Sequence, residues 1–206
     1  IEADENLMLA IASEPRLMPH LHLSLQAGHD MILKRMKRRH STAQAVAFCD
    51  RLRALRPGIV FGADLIAGFP TETEQDHQDT LSLMEYVQYN FGYMYAYSER
   101  PGTLAARKME DDVSEEDKSR RLQEIVDLQG KHSAIRSRHY LGKVVEVLVE
   151  KTSKRSENDF SGRNSQSITV VFPREHYKIG DFVNVEITDC TSGTLIGKAV
   201  GYSDMN

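Results

Sequence analysis

The hydrophobic pattern changes period near residue 140, and no other feature of the chain constrains its fold as strongly. Up to about Tyr140, helical and strand-like stretches alternate; from Leu141 onward the sequence is strand-like throughout, punctuated by Gly, Asn, Asp and Ser. That order implies an α/β region followed by an all-β module, with domains expected at 1–139 and 140–206. At 206 residues the chain can hold two small domains with real cores.

In the first part, Asp4 to Ala12 reads as a helix and Leu21 to Gln26 as a strand. Asp30 is placed to cap a helix through Met31, Leu33 and Met36. Ser41 with Gln44 forms a capping box for a helix that carries Ala45, Phe48, Leu52 and Leu55 on one face and ends at Pro57-Gly58. Ile59 to Ala67 is the next strand, Thr71 with Glu74 the next capping box, and Phe91 to Tyr97 a third strand. Ser114 with Asp117 opens a long charged helix through Leu122, Ile125 and Leu128. Strands separated by helices predict parallel crossovers, either half of a (βα) barrel or part of an open sheet. In the second part, strands are expected at Lys143–Glu150, Ser167–Phe172, Phe182–Ile187 and Leu195–Val200. Short alternating strands of this kind suit a small barrel of the oligonucleotide-binding type.

Three segments could carry chemistry. In Leu21–Gln26 the leucines share one face and His22, Ser24 and Gln26 the other. Leucines facing helices would turn the polar trio inward, where it needs a ligand, water or mutual hydrogen bonds. In Phe61–Glu72, residues Gly62, Asp64, Ile66 and Gly68 share a parity. Gly68 stands at the carboxyl end of its strand, where parallel α/β folds bind ligands, and Ile66 beside a glycine gap would suit a flat ring. In the third segment Tyr93, Tyr95 and Tyr97 lie on one face, either filling core, the commoner arrangement, or stacking a base.

Lys34, Arg35, Lys37, Arg38 and Arg39 form a dense basic run expected on a helix. It is either a solvated face or a contact for phosphates or a cofactor carboxylate. Lys151, Lys154, Arg155 and Arg163 cluster around an expected turn at Thr152–Asn164. The net charge of −4 argues against a protein that coats nucleic acid indiscriminately, so RNA contact would come from local patches such as these. The cysteines Cys49 and Cys190 have no metal-ligand spacing, and no metal ligands are expected in the chain. No apolar run approaches the roughly 18 residues of a membrane span, no signal-peptide pattern opens the chain, and a cytoplasmic location is expected. The opening residues IEADENLMLA read as a helix cut from something larger.

Taken together, HLSLQAG (His22–Gly28), LKRMKRRHS (Leu33–Ser41), DLIAGFPTET (Asp64–Thr73) and YSERPGT (Tyr97–Thr103) resemble the MiaB-like tRNA methylthiotransferases of the radical S-adenosylmethionine (SAM) superfamily. The tail from about Leu141, with Ser153-Lys154-Arg155-Ser156 and Ser161-Gly162-Arg163, resembles a TRAM domain. The resemblance implies the last strands of a parallel radical SAM (βα) barrel followed by a small OB-like TRAM barrel. It implies SAM contacts at Gln26, Gly28, Arg38, Asp64, Ile66, Gly68 and Phe69, and RNA contacts at Lys151, Lys154, Arg155 and Arg163. It also implies SAM and [4Fe–4S] clusters as cofactors and a tRNA anticodon stem-loop as partner. The product would be a 2-methylthio group on isopentenyl-adenosine 37, made by an intact protein expected to be monomeric. The cluster-binding cysteines of the family are not in this sequence, so the chain alone is expected to be inactive and its catalytic residues stay unassigned. Residues up to about Glu74 look more like the branch acting on threonylcarbamoyl-adenosine, and those from about Asn90 more like the isopentenyl branch. Related alternatives are the threonylcarbamoyl substrate and an aspartate of a ribosomal protein; an alternative of another class is a non-catalytic RNA-binding module.

Overall fold

A computed structural model describes residues 5–204. It divides into two compact units, one made of residues up to Leu17 and from Leu21 to Gly130, the other of Met18–His20 and the residues from Lys131 onward.

The first unit begins with helix α1 (Glu5–Ser13), strand β1 (His20–Gln26) and helices α2 (Asp30–Arg35) and α3 (Thr42–Leu55). It continues with β2 (Val60–Ala67), α4 (Glu74–Val87), β3 (Phe91–Ala96), α5 (Leu104–Lys108) and the start of α6 (Glu115–Arg138). The sheet runs β1-β2-β3, and β2 and β3 are parallel, with Asp64 opposite Tyr93 and Ile66 opposite Tyr95. One face of the sheet is apolar. Leu23, Leu25, Phe61, Ala63 and Leu65 are buried there in one cluster with Phe48, Leu52, Met84, Val87 and Ile125 from the helices. The alternation Leu21/Leu23/Leu25 against His22/Ser24 thus does what a period of two predicts, and the polar side is the uncovered one.

Helix starts follow local chemistry more closely than the sequence suggests. Ser41 and Gln44 form the expected reciprocal capping box of α3. Asp30, by contrast, is not a cap: His29 holds that position, and the Asp30 carboxylate instead accepts a hydrogen bond from the Thr42 N–H at 2.7 Å. The box of α4 is Thr73 with Asp76, two residues later than expected. Phe69–Glu72 forms a turn first (Glu72 N–H to Phe69 O, 2.9 Å), and Thr71 takes a left-handed φ of 71° within it. Of two overlapping Thr-x-x-acid patterns, only the one clear of that turn can nucleate a helix.

The second unit is a closed barrel of order β4-β5-β6-β8-β7. Its strands are β4 (Val144–Thr152), β5 (Asp159–Asn164), β6 (Thr169–Pro173), β7 (Phe182–Cys190) and β8 (Thr194–Tyr202). Val147, Val149, Phe160, Val170, Phe172, Val183, Val185, Ile187 and Leu195 fill its interior. β5 corrects the expected turn at Thr152–Asn164, since DFSGRN has no apolar alternation to mark a strand. What marks it is Gly162, where a Cβ would collide with the Leu148 carbonyl oxygen of the neighbouring strand. Among the described residues no helix is long and apolar enough to cross a membrane.

Candidate functional site

The open face of the sheet is built in layers along the strand direction. At the bottom, Gly62 leaves space that a Cβ would take from the Phe91 ring, 2.5 Å away. His22 stacks on Phe91 (centroids 5.6 Å, interplanar 18°) and leans on Tyr93 (5.5 Å). In the next layer Asp64 accepts from His22 Nε2 at 2.9 Å and from Ser24 Oγ at 2.8 Å. A carboxylate only accepts, so the proton of that pair sits on Nε2. Asp64 is half-buried and both its oxygens are engaged, which answers the cost of placing a carboxylate on a sheet face. Above it come Gln26, Ile66 and Tyr95, and then Phe69 and Tyr97, whose rings meet edge to face at 5.2 Å.

From Ser24 and Asp64 upward these layers line an open cleft of about 700 Å³, rimmed by Arg35, Lys37, Arg38 and Arg100. The basic run is therefore only partly helical. α2 ends at Arg35, Lys37 turns with a left-handed φ of 60°, and Arg38 N–H closes the turn onto Leu33 O. That turn brings the cations to the mouth of the cleft. Tyr93 and Tyr95 are not core residues: they are 56% and 55% exposed on the cleft face of β3.

Of the residues expected to contact a cofactor, Gln26, Arg38, Asp64, Ile66 and Phe69 come together around the cleft. Gly28 and Gly68 answer to packing instead. A Cβ on Gly28 would stand 2.5 Å from Thr80 Cα, and its N–H donates to Thr80 Oγ1. At Gly68 the backbone has a φ of 72°, and a Cβ would run into the Lys118 side chain.

Behind that carboxyl end of β2 lies a set of buried charges with no sequence signature. Lys118 is 2% exposed, its Nζ 2.6 Å from Asp111 and 2.7 Å from Glu115, and it lies over the Tyr97 ring. Burial opposes the charge of Lys118, but the two carboxylates outweigh it and raise its pKa. Glu72 accepts from Gly68 N–H at 3.0 Å and from Arg121 at 3.1 Å. Burial raises the Glu72 pKa against the pull of that N–H and of Arg121. Nearby, Glu74, His77 and Glu124 bring possible metal-ligand atoms within 4.8 Å of one another. Arg120 already bridges Glu74 and Glu124, and His77 is bonded to Glu124 at 2.8 Å, so the cluster is a clamp between α4 and α6.

On the barrel, Lys151, Lys154, Arg155 and Arg163 are all exposed. Lys154 and Arg155 lie in the β4–β5 loop, joined there by Arg174, which the sequence did not single out: its N–H bonds Asn158 O, and its guanidinium lies 4.9 Å from the Phe160 ring. Arg163 stands apart on β5, donating to Ser167 Oγ at 3.2 Å and lying 3.7 Å from Glu150.

Two family models and several curated proteins match the chain. Residues 3–84 match the Radical SAM superfamily and residues 138–200 the TRAM domain. Over 202 residues, 98% of this chain and 42% of the relative, the sequence is 65% identical to the tRNA-2-methylthio-N(6)-dimethylallyladenosine synthase of Flavobacterium johnsoniae. It is 55% identical over 197 residues, 96% of this chain and 41% of the relative, to the protein of the same name in Christiangramia forsetii. The chain thus carries a Radical SAM superfamily region and a TRAM domain, and along nearly its whole length it is similar to these two synthases.

This radical SAM chain spans less than half the length of the curated relatives it matches. The match to a protein of this one name runs through nearly the whole chain. Its fold is that of a radical SAM enzyme as well. The structure of coproporphyrinogen III oxidase from Escherichia coli superposes with a TM-score of 0.54 at 15% identity, over 80% of this chain and 44% of that one.

The superfamily implies SAM and a [4Fe–4S] cluster. The cleft residues fit SAM in kind: paired polar groups for a ribose, cations for a carboxylate and an apolar side chain for a ring. Its volume also lies in the range of small-molecule sites. The cysteines do not fit a cluster. Cys49 is fully buried, and burial pushes its thiol up to about 12, away from the thiolate a cluster requires. Cys190 lies in the other unit, on β7.

Proposed function

We propose that this chain is the portion of a tRNA methylthiotransferase that completes the SAM cleft and supplies an RNA-binding barrel. The reaction of the intact protein is methylthiolation at C2 of dimethylallyl (isopentenyl) adenosine 37, in the anticodon stem-loop of tRNA, in the cytoplasm. SAM and [4Fe–4S] clusters supply the sulfur and radical chemistry when bound; the chain's own residues bind and orient. The observation that carries this reading is Asp64, held by His22 and Ser24 on the one open face of the sheet, under a rim of cations.

In this reading Ser24 and Asp64 meet the ribose hydroxyls of SAM, Ile66 and Phe69 flank its adenine, and Arg38 meets its carboxylate. Gln26, buried with a left-handed φ of 76°, fixes the strand exit beside them. Gly28 and Gly68 serve by letting α4 and Lys118 approach the same strand ends. On the barrel, Lys151, Lys154, Arg155 and Arg163 contact tRNA phosphates. We place the domain boundary at 139/140, just past the end of α6 and near the start of the TRAM match at 138, although the compact units part within α6, at Gly130.

Kinetics of the intact, cluster-loaded protein test this. Asp64→Asn should raise the KM for SAM about tenfold and leave the KM for tRNA alone. Lys154→Glu with Arg155→Glu should do the reverse, and should flatten the salt dependence of tRNA binding by about two phosphate contacts. Equal effects of both variants on both substrates would refute the division of labour. The present chain, given iron, sulfide, reductant, SAM and tRNA, should form no 2-methylthioadenosine.

A further inference from the structure

Tyr93 and Tyr95 are the largest side chains on the open face of the sheet, and the SAM contacts proposed above do not use them. Both project from β3 with more than half of their surface exposed. Spacing of two along one strand puts both rings on one side, and the register sets Tyr93 beside Asp64 and Tyr95 beside Ile66. Tyr93 is braced from below by the Phe91 ring, edge to face at 6.0 Å, and by His22. Tyr95 lines the cleft itself, and an exposed aromatic on a strand is the arrangement by which sheets take up unpaired nucleobases.

The charge around them selects the ligand further. Arg35, Lys37, Arg38 and Arg100 border the same cleft, whereas its lining holds one acid, Asp64, with both oxygens already hydrogen-bonded. An apolar partner would leave that rim unmatched. A flat base carried on a phosphate backbone satisfies rings and cations together.

We infer that Tyr95, with Tyr93 on the same face of β3, is the stacking platform for the substrate nucleobase, an unpaired purine of an RNA strand drawn into the cleft beside SAM. This deepens the proposed function and rests on it. Stacking uses the face of the ring, so the phenol oxygen is dispensable and the ring is not.

The test uses the intact protein and an anticodon stem-loop RNA with 2-aminopurine in place of adenosine 37, whose fluorescence falls on stacking. Binding should quench the probe. Tyr95→Leu should abolish most of the quenching and weaken RNA affinity about 5- to 150-fold, with SAM affinity unchanged. Tyr95→Phe should behave as the parent protein. Circular dichroism of each variant verifies the fold. Full quenching by Tyr95→Leu would overturn the platform. So would a loss confined to SAM affinity, which would assign Tyr95 to SAM itself. A parent protein that binds SAM yet leaves the probe unquenched removes the platform and spares the SAM reading, whereas binding of neither ligand removes both.

Discussion

The two units solve the same problem, a sheet with two faces, in opposite ways. The barrel closes on itself, so one face of every strand becomes an apolar interior in which Val147, Val183, Val185 and Leu195 are all at 0% exposure. The three-stranded sheet buries only its leucine-rich face and leaves the other polar, aromatic and open. The end of that sheet is held by charge: Arg121 and Glu72, each 6% exposed, and Lys118 lock α6 onto the exit of β2. A face kept free to bind cannot also supply packing, and behind it α6 is positioned by desolvated charges, none of which can be removed singly without stranding its partner.

Breaking one member of the buried pair should show the contrast most strongly. Arg121→Met strands the Glu72 carboxylate in the interior and should cost the first unit about 3–5 kcal/mol, read by denaturant unfolding. Adding Glu72→Gln should restore much of that loss, because the uncompensated charge is gone. In the barrel the comparable injury is apolar. Leu195→Ala should cost about 2–4 kcal/mol through the cavity it leaves, with no dependence on pH. If Arg121→Met cost less than 1 kcal/mol, the charge clamp would have no structural role.

The smallest effect concerns acid. Hydrogen bonds from Arg120 and Gln78 hold the Glu74 carboxyl at about 2. Its pKa is thus depressed by folding, and its stabilising share is present above the unfolded value near 4.5 and lost as pH falls towards 2. Glu72 runs the other way. Its raised pKa makes its contribution fullest below about 4.5 and weaker as pH rises through the folded value. Glu74 is mostly exposed, so Glu74→Gln should cost no more than about 1 kcal/mol at neutral pH. It should also flatten the acid arm of the stability curve, measured as unfolding free energy between pH 5 and 2.

Much of this was legible in the sequence where one residue type has one physical use. The Ser41/Gln44 box, the alternation in Leu21–Gln26 and the valines of β7 each specify their structure locally. β5 was not legible because its strand character comes from its partners: Gly162 is there to admit the Leu148 carbonyl, not to end a strand. The clamp was hidden for a related reason. Positions 118, 121, 125, 129 and 132 form the buried stripe of α6, but four of them are Lys118, Arg121, Gln129 and His132, which read as solvated. The tyrosines misled in the opposite sense, since aromatic residues on a strand ordinarily go inside and these face the cleft. Asp64 and its neighbours were found because glycine, acid and isoleucine at one parity fit neither a core nor a surface.

Titration calorimetry of SAM into the cluster-loaded intact protein addresses the central claim most directly. Asp64→Asn should weaken binding about tenfold, while the barrel variant Lys154→Glu/Arg155→Glu binds SAM as the parent does. An Asp64→Asn protein that keeps its fold and full SAM affinity would show that the open face of the sheet is not where the cofactor lies.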